Sequence, residues 1–157
     1  MVLFGTEDTS NALADRYKGQ YQNVSTAHTI SKVDQDLYRQ LDNFEAAESA
    51  TGGDLIDGLV TALDMIERHC GTKKYKKRVF LITDGETATQ TNTEEINNLI
   101  DKLNEKGIRL NIIALDFANE LGEDESDQEE ESRPSATPVQ ETAMQTNNKR
   151  LLMQITD

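Results

Sequence analysis

The sequence predicts an α/β domain in which a mostly parallel β-sheet carries helices on both faces. The stretch "RVFLITDGE", Arg78 to Glu86, is apolar from Val79 to Ile82 before it stops on an acid and a glycine, as a strand buried on both faces would. "IRLNIIALDF", Ile108 to Phe117, has the same character. Helical periodicities precede and separate these two runs, and the order helix, strand, helix, strand from Asp54 onward implies parallel strands joined by crossovers.

Taken in order, "VLFG" at the start reads as a short apolar strand, followed by a polar loop. "YQNVSTAHTI" alternates, with Val24, Thr26, His28 and Ile30 on one face, as a half-buried strand does. Ser31 offers a helix cap, and Val33, Leu37, Leu41 and Phe44 fall on one helical stripe. A long helix is expected from Asp54 to about His69, with Leu55, Leu59, Ala62, Leu63 and Ile66 at helical spacing and Gly71 as its stop. After the Val79–Thr83 strand, Thr91 and Glu94 form a candidate capping box. The helix they open carries Ile96, Leu99, Ile100 and Leu103 on one face and ends at Gly107. Beyond Phe117, the run from Glu120 to Pro138 reads as a solvated acidic loop, and "ETAMQTNNKRLLMQITD" as a closing helix.

The bulk properties fit one domain. The chain has 157 residues, 36% of them apolar, and no apolar run long enough to span a bilayer. Its beginning lacks the basic and apolar regions of a secretory signal, and the single cysteine, Cys70, has no internal disulfide partner, so an intracellular compartment is expected. Net charge is −13, but eight acids lie in "ELGEDESDQEEES" alone, which leaves −5 on the remainder. A mildly acidic body is a poor match for a nucleic-acid groove, which needs clustered Lys and Arg.

The chemistry open to Asp84 can be narrowed by its neighbours. A phosphatase of the haloacid-dehalogenase type needs a nucleophilic carboxylate two residues earlier, where this chain has Ile82. A phosphate loop needs a lysine that "SATGGDL" lacks, and His28 and His69 stand in no triad context. A hard-cation site of the von Willebrand A type draws oxygen ligands from three loops: an Asp-x-Ser-x-Ser, a Thr before a helix and an Asp ending a strand. Thr51 and Asp84 match the last two in setting and order. The nearest counterpart of the first is "DTSNA", with Asp8 and Ser10 but Ala12 in the closing place. Asp84 therefore reads as a turn residue and, with Thr51, as the relic of a metal site. Lys73 to Arg78, "KKYKKR", reads as a solvated basic turn, and Cys70 and His28 as packed side chains.

"VLFGTEDTSNAL", Val2 to Leu13, with "QYQNVST", Gln20 to Thr26, closely resembles the N-terminal von Willebrand A-like domain in the larger subunit of the Ku heterodimer. The likeness continues in register through "GDLIDGLVTALDMIERHC", "KKYKKRVFLITDGE" and "RLNIIALDF", with the fungal branch as the nearest fit. It implies a Rossmann-type sheet whose first strand and helix are missing here. Residues 1–119 would be the partial domain, 120–138 its acidic loop and 139–157 its last helix. It further implies a nuclear, non-enzymatic interaction module without a cofactor, acting in double-strand-break end joining and at telomeric chromatin. The implied partners are the smaller Ku subunit, end-joining and telomere proteins, and DNA ends bound through other parts of the protein, with no membrane. The DNA-dependent ATPase and helicase activity credited to the family has no supporting residue in this chain. The alternatives are an intracellular A domain that binds a protein ligand through a divalent cation and, from the enzyme class, a small phosphohydrolase.

Overall fold

The computed structural model describes residues 1–43, 51–117 and 141–156. The chain order is β1 (Val2–Phe4), α1 (Ala12–Arg16), β2 (Val24–Thr26), α2 (Gln35–Asp42), α3 (Leu55–Cys70), β3 (Lys77–Thr83), α4 (Thr93–Lys106), β4 (Ile108–Ala114) and α5 (Ala143–Thr156). The α/β class predicted from sequence holds, but the strands form two small sheets rather than one. β1 pairs with β2 antiparallel, Leu3 opposite Ser25, and β3 pairs with β4 parallel, Leu81 opposite Ile112.

The long helix α3 forms where the periodicity places it. Asp54 caps its start, its carboxylate accepting from Ile56 N at 2.8 Å, and Gly71 closes it with a positive φ of 52°. Its apolar stripe of Leu55, Leu59, Leu63 and Ile66 enters a single core with Val79 and Leu81 of β3, Ile96, Leu99 and Leu103 of α4, and Leu152 and Ile155 of α5. Within α3 the buried Asp64 is held by Arg68 Nε at 2.7 Å, and Arg16 of α1 reaches it at 3.8 Å. A buried carboxylate is tolerated because two guanidiniums share it, and the pairing fastens α1 to α3.

Two glycines let β1 lie on α3. A side chain at Gly53 would put its Cβ 2.0 Å from the amide nitrogen of Gly5, and one at Gly58 would fall 2.9 Å from the Phe4 ring. The contact at Gly53 is backbone against backbone, so no rotamer change could relieve it.

Several sequence expectations need correction. β3 is not buried on both faces. Val79, Leu81 and Thr83 are buried, while Phe80 and Ile82 are 58% and 55% exposed, and Ile113 beside them on β4 is 44% exposed. Nor do helices flank both faces among the described residues: α3, α4 and α5 share one core. The second strand shrinks from ten residues to three, because Tyr21 and Asn23 take positive φ values of 54° and 57° and fold the chain before Val24. His28 is half-buried rather than packed in a strand, and its ring bonds Gln40 Oε1 and Ser31 Oγ.

Ser31 is thereby occupied, and Asp34 caps α2 instead. The stripe expected to bury α2 does not: Val33 and Leu41 are 68% and 46% exposed, and Phe44 lies outside the described residues. The capping box of α4 is formed by Asn92 and Glu95, one residue on from the expected pair, with Thr91 Oγ1 also donating to Glu95 Oε2 at 2.8 Å. β4 ends at Ala114, since Asp116 turns the chain at φ 56°. The acidic run from Glu120 to Pro138 lies outside the described residues.

The close approach at Gly53 yields a prediction. Gly53→Ala should cost at least about 1–3 kcal/mol, the usual range for overpacking, with the urea midpoint as readout. Gly52→Ala, whose nearest new neighbour would be Thr87 Cγ2 at 3.8 Å, should leave the midpoint nearly unchanged.

Candidate functional site

β1 and β3 end at the same place, the amino-terminal end of α3. Gly5 meets Gly53 there, the Thr51 carbonyl stands 3.4 Å from where a Gly5 Cβ would be, and Asp54 Oδ2 accepts from Gln90 N at 2.7 Å. The loop that follows β3 therefore lies beside the turn that precedes α3. This is the carboxyl edge at which open α/β sheets place their ligands.

Thr51 and Asp84, the residues singled out from sequence, belong to the two segments that meet at this edge. The Asp84 carboxylate accepts from Glu86 N at 3.2 Å, a local turn bond of the kind expected of an Asp-Gly pair. Gly85 supplies the positive φ of 68°, and a Cβ there would strike the Phe117 ring at 2.4 Å. Asp8 and Ser10 are elsewhere. Ser10 bridges Ser25 of β2, donating to Val24 O and accepting from Thr26 N, so "DTSNA" extends the β1–β2 sheet on the side of β2 away from β1. Ala12 opens α1 behind the Asn11 cap. Among the described residues, no three His, Cys, Asp or Glu side chains converge to hold a metal ion.

Two residues that the sequence reading passed over hold the loop after β3. Gln145 of α5 donates through Nε2 to Asp84 O at 2.9 Å, and Asn148 donates through Nδ2 to Gly85 O and Thr87 O, both at 2.7 Å. Asn148 Oδ1 in turn accepts from Thr89 Oγ1 at 2.9 Å. Both amides are almost wholly buried, at 2% and 1% exposure. Such a loop cannot satisfy its own carbonyls, and side-chain amides can. The sequence did carry a signal. Gln145, Asn148, Leu152 and Ile155 recur at helical spacing, so the two amides lie on the buried face of α5.

A cleft of about 1240 Å³ opens between the edges of β1 and β3, floored by α3 side chains such as Leu59, Ala62 and Ile66. A second cavity, of about 600 Å³, also reaches the α3 start and includes Tyr21, Asp54, Asp57 and Glu95 in its wall. Burial, reinforced by the charges of Asp54 and Glu95, pushes the Asp57 carboxyl up to about 6. The basic turn is partly engaged: Lys77 Nζ donates to Lys106 O, and the Arg78 guanidinium lies 5.8 Å from the Phe80 ring centre. Cys70 is buried at the end of α3, as expected of a small apolar side chain.

The fold and these surfaces define an α/β domain whose distinctive features are open apolar strand edges and loops gathered at one sheet end. Residues 1–156 match the family described as the Ku70/Ku80 N-terminal alpha/beta domain, and the chain belongs to that family. It is 35% identical over 127 residues to X-ray repair cross-complementing protein 5 of Dictyostelium discoideum, covering 81% of this chain and 15% of that protein. It is 33% identical over 118 residues to the ATP-dependent DNA helicase 2 subunit KU80 of Oryza sativa subsp. japonica, covering 72% of this chain and 17% of the relative. Over 118 residues it is 30% identical to the ATP-dependent DNA helicase II subunit 2 of Coccidioides immitis (strain RS), covering 74% and 16%. The likeness thus reaches an amoeba and a plant as well as the fungal branch. The chain spans only 15% to 17% of the length of these three relatives.

Two outcomes follow from the site. Asn148→Leu should destabilise the domain by roughly 1–3 kcal/mol for each carbonyl it strands, read by urea melts, with hydrogen exchange rising in the loop after β3. Asp57→Asn should stabilise it at pH 8. A carboxyl raised in the fold from 3.8 to about 6 favours the folded state most below pH 4, and that benefit is lost as pH rises through 6. The full shift corresponds to ~3 kcal/mol, which solvent screening of this half-buried group reduces to about 1 kcal/mol. The variant's advantage in thermal melts should vanish below about pH 4.

Proposed function

We propose that this domain is a non-enzymatic interaction module of a larger Ku subunit, serving double-strand-break end joining and telomere maintenance in the nucleus, telomeric chromatin included. The family match over residues 1–156, with relatives named as subunit 2, KU80 or X-ray repair cross-complementing protein 5, carries the reading. Its partners would be the smaller Ku subunit and end-joining and telomere proteins, while DNA ends would be held by other parts of the full protein.

Local chemistry supports a role without catalysis. Position 82 is an exposed isoleucine where a phosphoryl-accepting carboxylate would have to stand, and Asp84 is engaged in its own turn. "SATGGDL" leads into a capped helix through Asp54 and offers no lysine to a phosphate. We read β1 and β3 as strands of one von Willebrand A-like sheet whose first strand and helix lie outside these residues. Residues 1–119 and 139–157 would form one domain interrupted by the acidic loop 120–138. Thr51 and Asp84 would be the remnants of the family's cation site.

The test uses the full-length protein. Co-expressed with the smaller Ku subunit it should elute as a heterodimer, and elution of the two as separate monomers would refute the assignment. Alone, the 157-residue chain should bind duplex DNA ends no tighter than ~10⁻⁴ to 10⁻⁶ M at physiological salt by anisotropy, the non-specific range. Tight, end-selective binding by the chain itself would place the DNA contact here instead.

A further inference from the structure

The loop after β3 is held by two sets of partners in succession. Over its first half Gln145 and Asn148 of α5 bond the carbonyls of Asp84, Gly85 and Thr87, and Thr89 Oγ1 donates to Asn148 Oδ1 at 2.9 Å. Over its second half Gln90 N donates to Asp54 Oδ2 at 2.7 Å and Thr91 Oγ1 to Glu95 Oε2 at 2.8 Å, which ties it to the starts of α3 and α4. Thr87, Ala88, Gln90 and Thr91 thereby share the wall of the second cavity with Asp54 and Asp57.

The attachment of α5 is unlike that of the other core helices. Its buried apolar side chains are Leu152 and Ile155, whereas α3 buries Leu55, Ile56, Leu59, Leu63 and Ile66. The other two buried positions of α5 are the amides of Gln145 and Asn148. Gln145 is set in place by a reciprocal pair with Thr142, Thr142 N donating to its Oε1 at 2.9 Å and its own N donating to Thr142 Oγ1 at 3.1 Å. Beyond that pair, the bonds of both amides end in the loop after β3 and, from Gln145, at Asp116 O. An element with little apolar burial opens at a lower free energy than the core around it. Were α5 to leave, Gly85 and Thr87 would have to turn their carbonyls to water.

We propose that α5 and the loop after β3 open and close as one unit, so that α5 is a latch on the second cavity, shutting its wall when docked and releasing it when undocked. Such coupling is reciprocal, and whatever favours the closed wall also favours docked α5. Asp57 supplies a handle on it. The closed cavity half-buries that carboxylate beside Asp54 and Glu95, with Tyr21 as the other titratable group in the wall and no Lys, Arg or His, so its charge opposes closure at neutral pH. Asp57 lies on α3, and none of the bonds that hold α5 involves it.

Native-state hydrogen exchange on the 157-residue chain tests the latch. Amides of α5 and those of Gly85 and Gln90 should share one opening equilibrium, populated at least about tenfold more than the one that exposes Leu59 to Ile66 of α3. Leu152→Ala, at a position that lines neither cavity, should speed exchange in the loop and in α5 by the same factor, about tenfold or more. Asp57→Asn at pH 8 should slow exchange across α5 about fivefold, although it removes no contact of that helix. Protection of α5 equal to that of α3, acceleration of α5 without the loop, or indifference of α5 to Asp57→Asn would each overturn the proposal.

Discussion

The arrangement depends on how closely α3 can approach two strands at once. Its amino-terminal end touches β1 through Gly53 and Gly58, and its apolar stripe meets Val79 and Leu81 of β3. One helix thus orients two sheets that, among the described residues, are not paired with each other. Had either glycine carried a side chain, β1 would have to withdraw from the helix, and the cleft beside it would lose one wall. The buried Asp64, shared by Arg16 and Arg68, extends the same role to α1.

A second constraint concerns the loop after β3. Its carbonyls at Asp84, Gly85 and Thr87 bond side-chain amides rather than a neighbouring strand. Gln145 and Asn148 supply those amides from a helix whose sequence neighbours are far away, so the loop and α5 form one hydrogen-bonded unit. Asp84, the residue that stands out in the sequence, is fixed at three points: its carboxylate by Glu86 N, its carbonyl by Gln145, and the following glycine by Asn148. The conspicuous acid is held by inconspicuous amides.

These two constraints put the domain's open surfaces on one side. The helices cover one face of the β3–β4 sheet, leaving Phe80, Ile82 and Ile113 on the other. Contiguous exposed apolar side chains on a sheet are a binding surface or a liability, and here they continue into the cleft lined by β1 and β3. The acidic character of the chain agrees with contacts to protein more than to phosphate.

What the sequence determined by itself was local. Helix stops and starts at Asp54, Gly71 and Gly107, and the apolar runs of β3 and β4, depend on capping chemistry and side-chain period, which act within a few residues. The family was legible for a similar reason, since it rests on many short patterns in one order. Tertiary structure alone decided which face of β3 is covered, because an apolar run looks the same whether both faces or one meet helices. It decided that Ser31 bonds His28 instead of capping α2, and that "DTSNA" extends a sheet rather than joining Thr51 and Asp84. It also decided that Gly53 meets Gly5, Gln145 meets Asp84 and Asn148 meets Gly85, pairs between 48 and 63 positions apart. Such contacts depend on where distant backbone arrives, and no local pattern encodes that.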